Sequence, residues 1–478
     1  MAWRKRTLQP PTARPGSEQR KLAETAPAMN APRKNTDRAE AALLRNASTT
    51  HEPANPCWIP DAAAAGLHPG PRWRARFWAI FGGQALSLIG SALTQFVLLW
   101  WITDTTGSVS ALATAGLAAL LPQAVLSPLG GTFADRYSRR LLMIVADGIS
   151  ALCMLLLIAL FLTGRIALWH AYVMMAIRSA AQAFQAPAAA ASVTMLVPGG
   201  FLVRAAGLNQ SLQSLTLVVA APLGALAIGV MPIGWALGID VATALLGIAP
   251  LLCCRIPQAC VSSGQKTGLW PAFREGVDLV WKTPGLRWLY VLLGAVVLAI
   301  MPTFTLVPLL VKTHFGGAAA QVALMEGLSG IGMVAGGLLV AAMAPRRQVA
   351  WILCGFAMSC VALALTALAP GSLFGVAVAW WVISGITFVF GNAPLTALLQ
   401  TIVPNHLQGR VLSLLNTTMG LAAPVGLALF TPLGEVIGVR ALFAIAGLLG
   451  AAASLAGFLS PSLMRLDRRP SRSEARTD

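Results

Sequence analysis

From residue 78 to residue 460 the chain alternates long apolar runs with short polar gaps. The runs lie near 78–102, 110–133, 141–163, 167–190, 207–230, 233–253, 287–311, 321–343, 349–369, 371–398, 411–433 and 437–459. A run of roughly 20 apolar residues crosses a bilayer as a helix, because no other open-chain structure satisfies its backbone N–H and C=O groups in hydrocarbon. The pattern therefore predicts an all-α polytopic membrane protein with twelve transmembrane helices. The longest internal gap, 254–286, separates the sixth run from the seventh. Within it Leu269, Trp270, Phe273, Val277, Val280 and Trp281 fall on one helical face and Arg274, Glu275, Asp278 and Lys282 on the other. That division predicts a helix lying in the membrane surface.

The two sets of six runs resemble one another. Gly130-Gly131 recurs as Gly336-Gly337, Val197-Pro198 as Val403-Pro404 and Arg204 as Arg410, each 206 residues on. Ala186-Pro187 recurs as Ala393-Pro394 and Asn209 as Asn416, with the register slipped by one. A period of that length is too long for a solenoid. It predicts two six-helix bundles, 78–253 and 287–460, joined by the linker 254–286, and paired repeats are how many secondary transporters are built.

Composition supports the membrane assignment: 56% of the 478 residues are hydrophobic and 11% charged, roughly half the charged fraction of a soluble domain. A net charge of +17 would suggest nucleic-acid binding, but the basic residues avoid the apolar runs and gather in alternate gaps. Placing both termini, the even-to-odd gaps and the central linker on one side collects 30 of the 34 Lys and Arg residues. By the positive-inside rule that side is cytoplasmic, which predicts a multi-pass protein of the cell (inner) membrane. Residues 1–77 carry 13 basic against 6 acidic residues and no apolar run, so they read as a basic cytoplasmic tail without order. Residues 461–478 form a shorter one. The seven cysteines have neither disulfide nor zinc spacing, and no metal or cofactor is expected. No GxxxxGK[ST] loop is present, so nothing supports ATP hydrolysis by this chain, and no nucleophile motif suggests an enzyme.

Between the second and third runs stands Gly131-Thr-Phe-Ala-Asp135-Arg136-Tyr-Ser-Arg139-Arg140. This segment resembles the GxxxDRxxRR signature of the major facilitator superfamily, with Ser138 where a glycine is usual. The stretch from Gly337 to Arg346-Arg347 is its degenerate echo. The resemblance spans about 78–460 and implies a loop, Gly131, Asp135, Arg136, Arg139 and Arg140, that latches the two halves on the cytoplasmic side. Arg178 with Gln182 resembles the fourth-helix motif tied to proton coupling in facilitator antiporters, and Ala221-Pro222-Leu223-Gly224 resembles, more distantly, an exporter motif. The order VP…R…LN…PG after the fourth and tenth runs, with Ile239-Asp240, is similar to the branch holding macrolide-efflux proteins and enterobactin exporters.

Four ionisable residues lie inside spans: Asp147, Arg178, Asp240 and Glu326. Each costs about 2.5–3.5 kcal/mol near the bilayer centre, so each needs a partner or a function. For Asp147 and Asp240 two readings stand side by side, a static ion pair and a carboxylate that gains and loses protons as access alternates. Asp147 lies two turns from Arg140 and is expected to complete the latch. Glu326 is expected to be solvated near an outer mouth. Gln84, Ser87, Ser91, Thr94 and Gln95 share a face of the first helix, as do Arg178, Gln182 and Gln185 on the fourth and Asn209, Gln213 and Thr216 on the fifth. These rows are expected to line a wet cavity, with Met174, Met175, Trp380 and Trp381 adding apolar surface. The expected activity is export of an amphipathic, drug-like or macrolide-like small molecule in exchange for protons by a monomer. A siderophore or other metabolite exporter is the alternative, and an uptake symporter or a membrane scaffold is a more distant one.

Overall fold

The computed structural model describes residues 72–254, 269–343, 345, 347–403 and 405–468. Ten helices among them are long and apolar enough to cross a membrane. One of the ten, Leu414–Leu459, has 46 residues, which would be about 69 Å of helix against roughly 30 Å of hydrocarbon. It holds two crossings. Gly438, with φ 81° and ψ 159°, breaks the long helix Asn405–Ala456, and only glycine takes such a backbone without strain. The fourth expected crossing, Leu168–Leu196, has 29 residues but falls outside the apolar ten, carrying His170, Arg178, Gln182 and Gln185.

Twelve spanning helices result among the described residues. In chain order they are α1 (Trp73–Thr106), α2 (Val109–Arg136), α3 (Arg139–Leu162), α4 (Leu168–Leu196), α5 (Leu202–Val230), α6 (Ile233–Cys253), α7 (Pro284–Phe315), α8 (Ala319–Met343), α9 (Gln348–Leu368), α10 (Phe374–Ile402), α11 (405–437) and α12 (439–456). Between α6 and α7, Leu269–Lys282 forms a helix. It packs on α7 and on the 405–456 segment, with Val280 buried at 3% exposure. Asp278 and Lys282 pair at 3.6 Å on its exposed side. The tails 1–71 and 469–478 lie outside the described residues.

Helix pairing repeats along the chain. α2 packs on α4 as α8 packs on α10, and α3 on α4 as α9 on α10. The glycines that recur explain part of this. A Cβ on Gly130 would sit 1.9 Å from the Ala183 carbonyl oxygen of α4, and one on Gly336 would sit 2.7 Å from the Ile386 carbonyl oxygen of α10. Each absent side chain lets two backbones touch, the small-residue device of membrane helix packing. Their neighbours differ: Gly131 has nothing within 4 Å, and Gly337 has only Val389 at 3.9 Å. The conserved-looking pair is therefore one packing glycine followed by one free position.

Gly130→Val should lower the thermal midpoint in detergent, at a cost of roughly 1–3 kcal/mol or more for the forced separation of α2 from α4. Gly131→Val should leave the midpoint unchanged. Equal effects of the two substitutions would contradict the packing assignment.

Candidate functional site

The charged groups of the first half meet inside it, at the seam of α1, α3, α4 and α6. α1 approaches α6 closely because small residues face it: a Cβ on Gly83 would meet the Leu246 carbonyl oxygen at 2.7 Å, and one on Gly90 would meet Thr243 Oγ1 at 2.0 Å. Across this seam Arg178 Nη2 of α4 donates to Asp240 Oδ2 of α6 at 2.8 Å. Ser91 Oγ of α1 donates to Asp240 Oδ1 at 3.0 Å. Asp240 is 2% exposed and Arg178 11%. Both carboxylate oxygens are thus engaged, one by a cation and one by a hydroxyl, the arrangement that makes a buried ion pair tolerable.

A second cluster lies two turns along α1. Gln84 Nε2 donates to Asp147 Oδ2 at 3.1 Å and to the Gly247 carbonyl at 3.4 Å. Gln185 Nε2 donates to Asp147 Oδ1 at 2.6 Å and to Gln84 Oε1 at 3.1 Å. Asp147 is 4% exposed, and its hydrogen-bonding partners among the described residues are these two neutral amides. The expectation that Asp147 completes a latch with Arg140 is corrected by this geometry. Arg140 instead donates through Nε to the Leu251 carbonyl and through Nη2 to the Leu252 carbonyl at 2.7 Å. It caps the C-terminus of α6, where unpaired carbonyls and the negative end of the helix dipole attract a cation.

Arg139 also reaches helix ends. Its Nε donates to the Ala134 carbonyl of α2 at 3.3 Å and its Nη1 to the Ala191 carbonyl of α4 at 2.7 Å. These arginines therefore tie helix termini together within the first half. The side chains of Asp135 and Arg136 lie outside the described residues, and the expected latch contacts of those two residues lie there with them. Gly131 is in open space.

The expected wet lining needs revision as well. Ser87 and Thr94 are buried at 5% and 0% exposure, so much of the α1 row is packed interior in this conformer rather than cavity wall. Contact with α6 covers Ser87, while Gln84, Ser91 and Gln95 stay half-buried. Gln95 and Gln182 are half-buried and lie on the faces of Gln84 and Arg178. Asn209 and Gln213 are exposed, while Thr216 is buried and returns its hydroxyl to the Leu212 carbonyl at 2.9 Å. Met175 and Trp381 are each 2% exposed core residues, not lining. In the second half, Ser384 stands 206 residues after Arg178. It exchanges hydrogen bonds at 3.0 Å with Ser359 of α9, a neutral pair where the first half has a charged one.

One further ion pair joins the halves at the end opposite Arg139 and Arg140. Lys312 Nζ near the end of α7 contacts Asp104 Oδ1 at 2.9 Å, the Asp104 carbonyl at 2.6 Å and the Thr103 carbonyl at 3.3 Å. It caps α1 from the other half. In the sequence Lys312 is a cation just past the seventh run, and nothing local reveals a partner 208 residues away. Other contacts between halves share that end: a Cβ on Gly434 of α11 would sit 3.0 Å from Val109 of α2, and one on Gly116 of α2 would sit 2.6 Å from Thr305 of α7.

Comparison with known proteins agrees with this architecture. The family model of the Major Facilitator Superfamily matches residues 80–427 and again 304–477. Macrolide efflux protein A of Streptococcus pyogenes is 32% identical over 382 residues, covering 79% of this chain and 94% of that protein. Multidrug efflux pump Tap of Mycobacterium bovis is 24% identical over 410 residues, covering 83% and 96%. Among solved structures, an inward-facing, unoccupied bacterial homolog of the human lysosomal transporter Spinster superposes with a TM-score of 0.60 at 16% identity, covering 83% and 97%. The twelve-helix fold is that of a membrane transporter. The chain belongs to the Major Facilitator Superfamily.

Arg178→Met alone and Asp240→Asn alone should each lower the thermal midpoint. Removing one partner of a buried pair costs roughly 3–5 kcal/mol. The double variant should recover part of that loss. A double variant as unstable as the sum of the two single ones would show that the groups do not act as a pair.

Proposed function

We propose that the protein is a secondary exporter of amphipathic, macrolide-like small molecules, working as a monomer in the cytoplasmic membrane by exchange for protons. The observation that carries the export reading is the 32% identity to macrolide efflux protein A over nearly the whole of that protein. The name of the Tap relative, a multidrug efflux pump, points the same way.

On this reading the end carrying Arg139 and Arg140 is cytoplasmic, as the charge distribution of the sequence favours. The halves 78–253 and 287–460 rock against each other with 254–286 as tether. In the proposed cycle the contacts at the Lys312–Asp104 end hold the outward side shut while the inward side opens. Reopening requires that pair to break. The Arg139 and Arg140 bonds to helix ends, with Asp135 and Arg136 beside them, stiffen the inner end of the first half as it swings.

Proton exchange is supported by the chemistry of the first-half seam. A buried carboxylate held by neutral amides, as Asp147 is, has no cation beside it to offset its charge, and it is the group this reading assigns to the exchanged proton. Asp240 is offset by Arg178, so a proton or substrate arriving at one group changes the balance at the other. Substrate and proton then share the region of Gln84, Ser91, Gln95, Arg178, Gln182 and Asp240.

Cells of a macrolide-sensitive bacterium producing this chain should accumulate less labelled macrolide and tolerate more of it. In proteoliposomes, substrate addition should move protons, and Arg178→Ala and Asp240→Asn should each abolish that movement. Unchanged accumulation of macrolide together with efflux of a catecholate siderophore would redirect the reading to metabolite export. Normal proton movement in both variants would show that the pair is structural.

A further inference from the structure

Glu326 of α8 is a membrane-embedded charge that neither the seam nor the end contacts absorb among the described residues. Its direction follows from the contacts of its helix. On one side, Gly327 and Gly330 approach α5, with Cβ positions 3.1 Å from Pro222 and 2.8 Å from Val218. On another, Gly332 and Gly336 approach α10, meeting Val382 at 3.0 Å and the Ile386 carbonyl oxygen at 2.7 Å. Leu324 and Ile331, 51% and 54% exposed, mark the lipid side. At 3.6 residues per turn, Glu326 stands about 140–160° round the helix from those two residues. It points inward, into the arc between the α5 and α10 contacts, and is half-buried. Met333 and Gly337, two and three turns further on, lie on the same arc and are also half-buried. The expectation of a residue solvated at an outer mouth gives way to one facing the space between the halves.

No described side chain hydrogen-bonds or ion-pairs with Glu326. The cations that could do so are committed elsewhere: Arg178 to Asp240, Lys312 to Asp104, and Arg440 to the Ala367 carbonyl at 3.1 Å. α10 contains no ionisable residue, and α5 only Arg204, at its far end. α7 brings Arg287 at its far end and His314, whose ring nitrogen is bonded to the Ala369 carbonyl at 2.9 Å. A carboxylate on an inward face, with apolar Val218 and Pro222 beside its glycine neighbours, is costly when empty. It is offset as soon as a mobile cation arrives, and Gly337, three turns along the same arc, is left open by its neighbours.

We propose that Glu326 is the counter-ion for a lipophilic cation: the protonated amine, or other organic cation, of the molecule the protein transports. This deepens the transporter reading by assigning the substrate class as amphipathic bases and placing the charge-selecting group in the second half. The first-half seam then serves the proton while Glu326 serves the solute, so the two charges need not compete for one carboxylate. Neutral parts of the ligand would lie along Met333, whose flexible thioether chain adapts to varied shapes.

The test is equilibrium binding of tetraphenylphosphonium, a permanent lipophilic cation, to the purified full-length protein in detergent. Glu326→Gln should weaken binding roughly ten- to a hundredfold, the range of one charge-assisted contact. Glu326→Asp should retain most of it. Removing an unpaired buried charge should not lower the thermal midpoint of Glu326→Gln, which separates loss of a ligand contact from loss of fold. A basic macrolide should compete for the site, while its uncharged N-oxide should compete no better with the wild type than with the Gln variant. Failure of the wild type to bind the cation, or equal binding by wild type and Glu326→Gln, would overturn the proposal. Cation binding through Glu326 in a protein that moves nothing outward would sink the export reading and leave this site standing.

Discussion

A charge inside a bilayer must be matched, and the buried polar contacts of the first half show two ways of doing so. The Arg178–Asp240 pair, 2.8 Å apart, bridges α4 and α6, and Ser91 of α1 donates to the same carboxylate. Asp147 is matched differently, by the amides of Gln84 and Gln185. Two carboxylates in one half thus sit in unlike settings, one balanced by a cation and one by dipoles alone. The second half is neutral at the matching places, with Ser384 and Ser359 where charge could stand. It carries an embedded carboxylate, Glu326, on another helix and another face.

The same scaffold supports both arrangements because close packing, not charge, fixes the helix pairs. Gly130 against Ala183 and Gly336 against Ile386 bring backbones into contact, and those contacts are indifferent to whether a serine or an arginine lies a few turns away. In hydrocarbon there is little hydrophobic drive to hold helices together, so van der Waals contact at small residues has to do it. The repeat is preserved where packing needs it and lost where the chemistry of the halves diverges.

What the sequence revealed and what it hid divide along the same line. Span positions, the repeat, the family signature and the identity of the embedded charges were readable, because each depends on residues near one another in the chain. Partnerships were not. Arg140 lies two turns from Asp147, yet α6 ends beside it and its exposed carbonyls win the guanidinium. The α1 row has the periodicity of a cavity wall, but Gly83 and Gly90 on the adjoining face pull α6 against it. Gly438 is an ordinary glycine in sequence and becomes the division between two crossings only through its φ of 81°. The contact of Lys312 with Asp104 joins residues 208 apart and left no local trace.

The central claim is that two halves close alternately at their two ends. Distances between spin labels test it directly, in full-length protein freed of its native cysteines. One pair would be placed at the exposed positions Ala206 of α5 and Ala342 of α8, the other at Thr114 of α2 and Val436 of α11. Acidification or bound macrolide should shorten one distance while lengthening the other, and Lys312→Ala should favour the state opened at the Thr114–Val436 end. Two distances that stay constant, or that lengthen together, would contradict the account.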